Sequence, residues 1–318
     1  GTKALCDLIT AQPVAEDPRL KGFRFEDWER LKGEVQNSVA LRLAREILQP
    51  LTAMHFPIAF PEVFLGRSQG FNVVLGNPPW EKIMVKENEF LGRYLPGLRG
   101  LSQQDYVKNR DRLKQSRPDI IKDFEDEKSK ADKTRDIIMC SSAVSMGKGH
   151  PDLYIPFGFR FLRLCSGTSG YVGVVIPRSS MSAKGSEEFR KQIFESATSV
   201  EIITLQNSGR WVFDIHPQYT ISLIMFSKSD KSKAGLSIKG PFLSKKSFDN
   251  GVSLSSYRFP LSEISEWNDS LSLPLLPHSN SSDVFRQLRT TPRLDLKIET
   301  SWRARPLQEM NATFDADK

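Results

Sequence analysis

Residues 71 to 80 read Phe71-Asn72-Val73-Val74-Leu75-Gly76-Asn77-Pro78-Pro79-Trp80. The first six are a short, β-branched apolar run that stops at a glycine, which reads as a buried strand. The last four make a rigid loop behind it, because two consecutive prolines fix φ and remove two backbone donors. The loop's polar groups are then chiefly carbonyl oxygens, and a loop at the carboxyl end of a strand in an open α/β sheet stands where ligands bind. The Asn77 side-chain oxygen and a proline carbonyl can together accept both hydrogens of an exocyclic amino group, while Trp80 offers a face for stacking a planar ring. A Pro-Pro turn with a packing tryptophan is the competing reading of the same residues.

Working outward, Tyr171 to Pro177 reads as a second buried strand, Val200 to Leu205 as a third and Thr220 to Phe226 as a fourth. Between the first two, Gln103 to Met139 is about half charged with both signs mixed and Pro118 interrupting it, the pattern of one or two solvated helices. Asp152 to Ser166 is expected to be a helix with Leu153, Phe157, Phe161 and Leu164 on its buried face, and Lys184 to Ser196 a polar-faced one. Strands alternating with helices indicate a layered α/β sheet, mostly parallel. Upstream, residues 23 to 49 carry Phe25, Trp28, Leu31, Val35, Val39, Leu43 and Ile47 at spacings of three and four, an amphipathic helix closed by Pro50. Downstream of Phe226 the pattern weakens into a Ser-, Pro- and Asn-rich stretch, which places a boundary near residue 228. The expected organisation is a helical lead-in over 1–55, a catalytic domain over 56–228, and a linker with the start of a recognition region over 229–318.

Composition narrows the function classes. The 318 residues are 39% hydrophobic and 26% charged, a globular composition. Cys6, Cys140 and Cys165 lie far apart, and His55, His150, His216 and His278 never fall at ligand spacing, so neither a disulfide framework nor a metal site is expected. No apolar run approaches the about 20 residues needed to cross a bilayer, and the first residues lack the order of a signal peptide. Cytoplasmic placement and no membrane partner are the expectations. The net charge of +7 permits an anionic partner without naming one. Six lysines, Lys228, Lys231, Lys233, Lys239, Lys245 and Lys246, accompany one acid, Asp230, over residues 228 to 246. They read either as phosphate contacts that position a nucleic acid or as a solvated linker.

The stretch 71–80 resembles motif IV of the S-adenosylmethionine-dependent amino-group methyltransferases, in particular the DNA adenine-N6 branch. The resemblance extends upstream, where Phe60-Pro61-Glu62-Val63-Phe64 is similar to the lead-in of large single-chain restriction-modification and phage-defence methylases. It extends downstream to Asp152-Leu153-Tyr154 opening a helix and to Gly170-Tyr171-Val172-Gly173-Val174-Val175-Ile176-Pro177. Val212-Phe213 followed by Thr220 to Ile224 resembles motif VIII, and Arg303 to Asp315 is similar to the entry into a target-recognition region.

The resemblance implies a class I, Rossmann-like methyltransferase sheet, S-adenosylmethionine as cofactor, and double-stranded DNA, with other restriction or defence subunits as further partners. It implies that Asn77, Pro78, Pro79 and Trp80 bind the target amine and that Trp80 and Phe213 sandwich a flipped-out adenine. Phe213 as a core aromatic is the even alternative. Asp152 is placed either in a cofactor-side network or as the cap of its helix, the commoner role. The glycine-rich turn of motif I is not in the sequence: no Asp-Pro-x-x-Gly-Ser-Gly precedes Asn77, and Ser145-Met146-Gly147-Lys148-Gly149 follows no strand. The chain, which begins at Gly1 rather than a methionine, is therefore expected to be the carboxyl-side half of a catalytic domain, carrying strands four to seven. Such a half-sheet is expected to expose an edge and an apolar face, and to self-associate. A non-catalytic module derived from such a methylase, and an RNA or protein-glutamine methyltransferase, are the rival functions.

Overall fold

The computed structural model describes residues 2–24, 26, 35, 38–141, 152–277, 280–293 and 304. Its centre is one six-stranded mixed sheet in the order β1-β2-β4-β3-β5-β6. The strands are β1 (Val73–Gly76), β2 (Tyr171–Pro177), β3 (Ser199–Gln206), β4 (Thr220–Ser227), β5 (Gly235–Phe242) and β6 (Arg258–Phe259). β1 runs parallel to β2 and β3 parallel to β5, whereas β4 is antiparallel to both β2 and β3, and β6 to β5. The architecture is the α/β, Rossmann-like half-sheet expected, but it is not mostly parallel. The connection from β3 to β4 holds only a 3-10 turn, Ser208–Arg210. With no crossover helix to carry the chain back, β4 enters the sheet reversed.

The helices are α1 (Thr2–Ala11), α2 (Val39–Leu48), α3 (Gln103–Ser116), α4 (Pro118–Ser141), α5 (Tyr154–Leu164), α6 (Glu187–Ser196), α7 (Lys245–Gly251) and α8 (Ser281–Leu288). Pro118 separates α3 from α4 as its lack of a backbone donor requires. α5 and α6 cover one face of the sheet, with Phe159 set edge-on against Phe189 at 5.5 Å. A Cβ on Gly158 would lie 2.4 Å from the Phe189 ring, so only glycine lets these helices approach. Of the Leu153/Phe157/Phe161/Leu164 face expected to be buried on α5 only Leu164 is, beside Tyr154, Ile155, Phe159 and Leu162; Leu153 and Phe161 are half-buried and Phe157 is exposed. This helix is apolar nearly all round, and periodicity cannot choose between faces in such a helix. Phe161 turns instead toward β1, and its ring occupies the place of a Cβ at Gly76, 2.6 Å away.

The lead-in has its own core, in which Ala4, Leu8 and Ala11 pack with Leu41, Ala44 and Leu48. Helix α2 begins at Val39 rather than near residue 23, because the Ser38 hydroxyl accepts the Leu41 N–H at 3.1 Å and caps it there. Phe25, Trp28 and Leu31 lie outside the described residues, as do the 145–149 segment and the stretch 305–318. Asp7 ties the lead-in together through Lys3 at 3.1 Å, His55 at 2.9 Å and Arg45 at 3.5 Å. Burial pushes its carboxyl up, but hydrogen bonds from His55 and Lys3 outweigh this and hold it below the ordinary range.

The boundary expected near 228 is overturned. β5 pairs along its length with β3, and Leu236, Ile238, Phe259, Ile264, Trp267, Leu273 and Leu276 belong to the sheet's main core. Residues 268–276 form a strap held to the same body. The buried Arg190 guanidinium donates to the Ser180 carbonyl at 2.7 Å and to the Ser270 carbonyl at 2.6 Å. The Leu273 N–H reaches the Met181 carbonyl at 2.9 Å. With no carboxylate hydrogen-bonded to it, burial lowers the Arg190 pKa to about 10.

At the other end of the sheet β1 is an edge among the described residues, with Val73 57% and Leu75 77% exposed, beside Tyr171 at 48%. An unpaired strand edge flanked by apolar side chains is a template for association. This chain is expected to self-associate in sedimentation, with paired Val73→Lys and Leu75→Lys substitutions restoring a monomer. A monodisperse wild-type monomer at high concentration would contradict it. Among the described residues no helix is long and apolar enough to cross a membrane.

Candidate active site

The carboxyl ends of β1, β2, β3 and β5 and the amino end of β4 share one edge of the sheet, and the loop 77–80 emerges there. Pro78 is buried, while Asn77 and Pro79 are exposed. No described residue hydrogen-bonds the Asn77 carboxamide, so its oxygen is open to an incoming donor. Trp80 is half-buried between the two clusters on this side of the sheet, and its indole N–H donates to the Val175 carbonyl at 3.3 Å. The packing role and the stacking role of this tryptophan are thus compatible: one end is anchored on β2, and the ring still borders the open edge.

Phe213 does not face Trp80 as a sandwich requires. Its ring stands edge-on, with centroids 6.0 Å apart and planes at 86°, and it packs with Ile203, Leu205 and Ile221. Phe213 is half-buried and packs against that cluster. Tyr219, which the sequence did not single out, lies 6.5 Å from Trp80 at 33° and is 50% exposed. Stacked bases rise about 3.4 Å per step, so a ring held between two others needs them about 7 Å apart. The two centroid separations are alike, and it is the angle that differs: Tyr219 lies nearer to parallel with Trp80, whereas Phe213 stands edge-on to it.

Asn207, fully buried at the end of β3, shapes this loop. Its amide nitrogen donates to the carbonyls of Phe213 at 2.9 Å and Ile215 at 3.3 Å. Its oxygen accepts the N–H groups of Val212 at 3.1 Å and Phe213 at 3.2 Å. Its own backbone N–H reaches the Tyr219 carbonyl at 3.0 Å, which places that tyrosine at the edge. A buried asparagine with every polar atom satisfied is a rigid clip. Its only signal in the sequence is a polar residue following a strand.

Asp152 is not a helix cap. Leu153 occupies the cap position of α5, and no side chain accepts there. Residue 152 instead pairs with Lys82 in an isolated antiparallel bridge, and the Leu153 N–H donates to the Glu81 carbonyl at 2.9 Å. The chain just past Trp80 is thereby stitched to the start of α5. Burial pushes the Tyr154 hydroxyl above its ordinary range, and the nearby Asp152 charge adds to the rise.

The six lysines do not act together. The Lys228 ammonium donates to the Leu162 carbonyl at 2.6 Å, at the end of α5, and Lys239 pairs with Glu201 at 3.0 Å and the Val252 carbonyl at 2.7 Å. Both are structural. Lys231 and Lys233 are exposed but precede β5, at the opposite edge of the sheet from Asn77; Lys245 and Lys246, which follow β5, share the loop's edge. No group of three or more potential metal ligands gathers among the described residues.

S-Adenosylmethionine does not fit the described residues alone. Among the described residues β1 has no strand on its far side, and no Asp-Pro-x-x-Gly-Ser-Gly turn precedes Asn77 in the sequence. Cofactor enclosure needs residues beyond those that form this edge.

No protein-family model matches the chain, and no curated protein does. Solved structures do overlap it, among them the following three. A DrdV–DNA complex shares 15% identity over 57% of this chain and 16% of its own, with a TM-score of 0.32. A modification subunit of a putative type I restriction enzyme from Vibrio vulnificus YJ016 shares 14% over 69% and 40%, with a TM-score of 0.35. The ATP-dependent type ISP restriction-modification enzyme LlaBIII bound to DNA shares 16% over 56% and 10%, with a TM-score of 0.30. The chain therefore spans less than half the length of each of these three proteins. At these scores the overlaps carry no weight for site or activity.

Proposed function

We propose that this chain carries the amine-binding half of a DNA adenine-N6 methyltransferase of a restriction-modification or phage-defence system, with S-adenosylmethionine as methyl donor. The observation that carries the reading is the open Asn77 carboxamide on a rigid proline loop, at the carboxyl end of β1, beside the Trp80–Tyr219 gap. An adenine amino group is a poor nucleophile because its lone pair is delocalised into the ring. The Asn77 oxygen and the Pro78 carbonyl, drawing on its two N–H bonds, favour a pyramidal nitrogen with that lone pair freed. The two aromatic faces hold the base while it is out of the duplex and return part of the unstacking cost of a few kcal/mol. S-Adenosylmethionine, when bound, supplies an electrophilic methyl group; no step through it is assigned to the described residues. Transfer of labelled methyl to DNA, RNA or protein in parallel tests the substrate class. Label in RNA or protein instead of DNA would contradict the DNA reading.

The exposed β1 edge favours a second reading, a non-catalytic DNA- or partner-binding module of a defence complex. It predicts DNA binding with no methyl transfer, even from the complete protein.

A further inference from the structure

Beside the proposed base site lies an open pocket of about 420 Å³ that the methylation reading does not use, lined by Arg178, Ser179, Ser182, His216, Gln218 and Tyr219. No carboxylate lines it. Arg178 is half-buried and donates to the Ser182 hydroxyl at 3.2 Å and the Leu273 carbonyl at 3.3 Å. It makes no ion pair among the described residues, and the other donors of its five-donor fork are unpaired there. A partly desolvated guanidinium without an acid is costly, and burial lowers its basicity. Oxyanions complete such a fork well. Across the pocket, His216 Nδ1 accepts the Gln218 N–H at 3.3 Å, which leaves the neutral ring's proton on Nε2, a further donor. The pocket therefore offers a fixed cation, hydroxyls, an amide and an imidazole donor, with no anion to oppose a ligand.

Tyr219 is shared between this pocket and the Trp80 gap. A nucleotide whose base lies against Tyr219 carries its phosphate one sugar away, and Tyr219 itself lines the pocket. We propose that the pocket holds a backbone phosphodiester of the strand whose base stacks on Trp80 and Tyr219, with Arg178 as its cation. The assignment rests on reading the Trp80–Tyr219 gap as a base site. It places positioning chemistry on the site's own edge rather than on Lys231 and Lys233 at the far end of the sheet.

The test is binding of a fluorescein-labelled oligonucleotide, single- and double-stranded, to the chain over a series of salt concentrations without cofactor. Each phosphate neutralised contributes about 0.9 to the slope of log affinity against log salt on duplex DNA. Arg178→Met is expected to reduce that slope by about one and to weaken binding about tenfold at moderate salt. Because Arg178 also braces the 268–276 strap, Gln218→Glu is measured beside it. That exposed position places a carboxylate in the pocket without touching the frame, and binding should weaken severalfold with an unchanged melting temperature. Inorganic phosphate at matched ionic strength is the third arm; displacement of the oligonucleotide at low millimolar phosphate would assign the pocket to free phosphate and overturn the proposal. Wild-type slope and affinity in both variants, or no oligonucleotide binding by the wild-type chain, would also overturn it. Methyl transfer is scored separately, with the complete protein and S-adenosylmethionine. A falling slope without transfer keeps the phosphate pocket and removes the methylase reading, whereas transfer with an unchanged slope does the reverse.

Discussion

Asn77→Ala in the complete protein is expected to lower methyl transfer about 10²–10³-fold, the order seen when one polar partner of a developing charge is removed. The loss should fall on kcat, with DNA affinity little changed. Asn77 is exposed and makes no hydrogen bond to a described residue, so removing its amide leaves no buried group orphaned. The fold does not depend on it: β1 is held by its pairing with β2 and by Phe161 packed over Gly76. The substitution therefore separates chemistry from stability, which a change at buried Pro78 does not. Unchanged transfer by Asn77→Ala, with an unchanged melting curve, would remove the proposed role. Asn77→Asp is the sharper companion, since it keeps an acceptor of the same size. It should retain more activity than alanine if accepting the amine's hydrogen is what matters.

Tyr219→Ala is expected to cost about 1–3 kcal/mol of base stacking, a loss of about 10- to 100-fold in the affinity for single-stranded or mismatched targets. Tyr219→Phe should restore most of it, because the ring face rather than the hydroxyl does the stacking. Phe213→Leu should behave oppositely: little direct effect on binding but a lower melting temperature, since that ring packs into the Ile203, Leu205 and Ile221 cluster. The pair distinguishes the two candidate partners of Trp80. A larger binding loss for Phe213→Leu at unchanged stability would restore the sandwich expected from the sequence and displace Tyr219.

Local signals carried much of this far. The strands β1 to β4 announce themselves as β-branched runs, the first two ended by Gly76 and Pro177, and Pro118 splits the charged insertion where the backbone must break. β5 does not announce itself. Leu236-Ser237-Ile238-Lys239 hides a strand buried on both faces, because Ser237 meets Ser256 at 2.6 Å and Lys239 is neutralised by Glu201. Such compensation is invisible until the partners, 19 and 38 positions away, are in place. The site divides the same way. Asn77 to Trp80 is a contiguous motif and could be read directly, with its address at a strand end. Tyr219 and Asn207 act only through the fold: one is an aromatic among several in a loop, the other a polar residue whose value lies in four hydrogen bonds to that loop. The lysines erred in the other direction, since a run of like charge along the chain is divided by β5 between two edges of the sheet.

The central claim is that this edge binds an adenine amino group for methylation. The most direct measurement is nucleoside analysis of unmodified plasmid DNA after incubation with labelled S-adenosylmethionine and the complete protein, set beside the chain described here. Label in N6-methyladenine from the complete protein, absent from its Asn77→Ala variant and from this chain alone, is the predicted result. Label on cytosine, or no label while DNA binding persists, would contradict it.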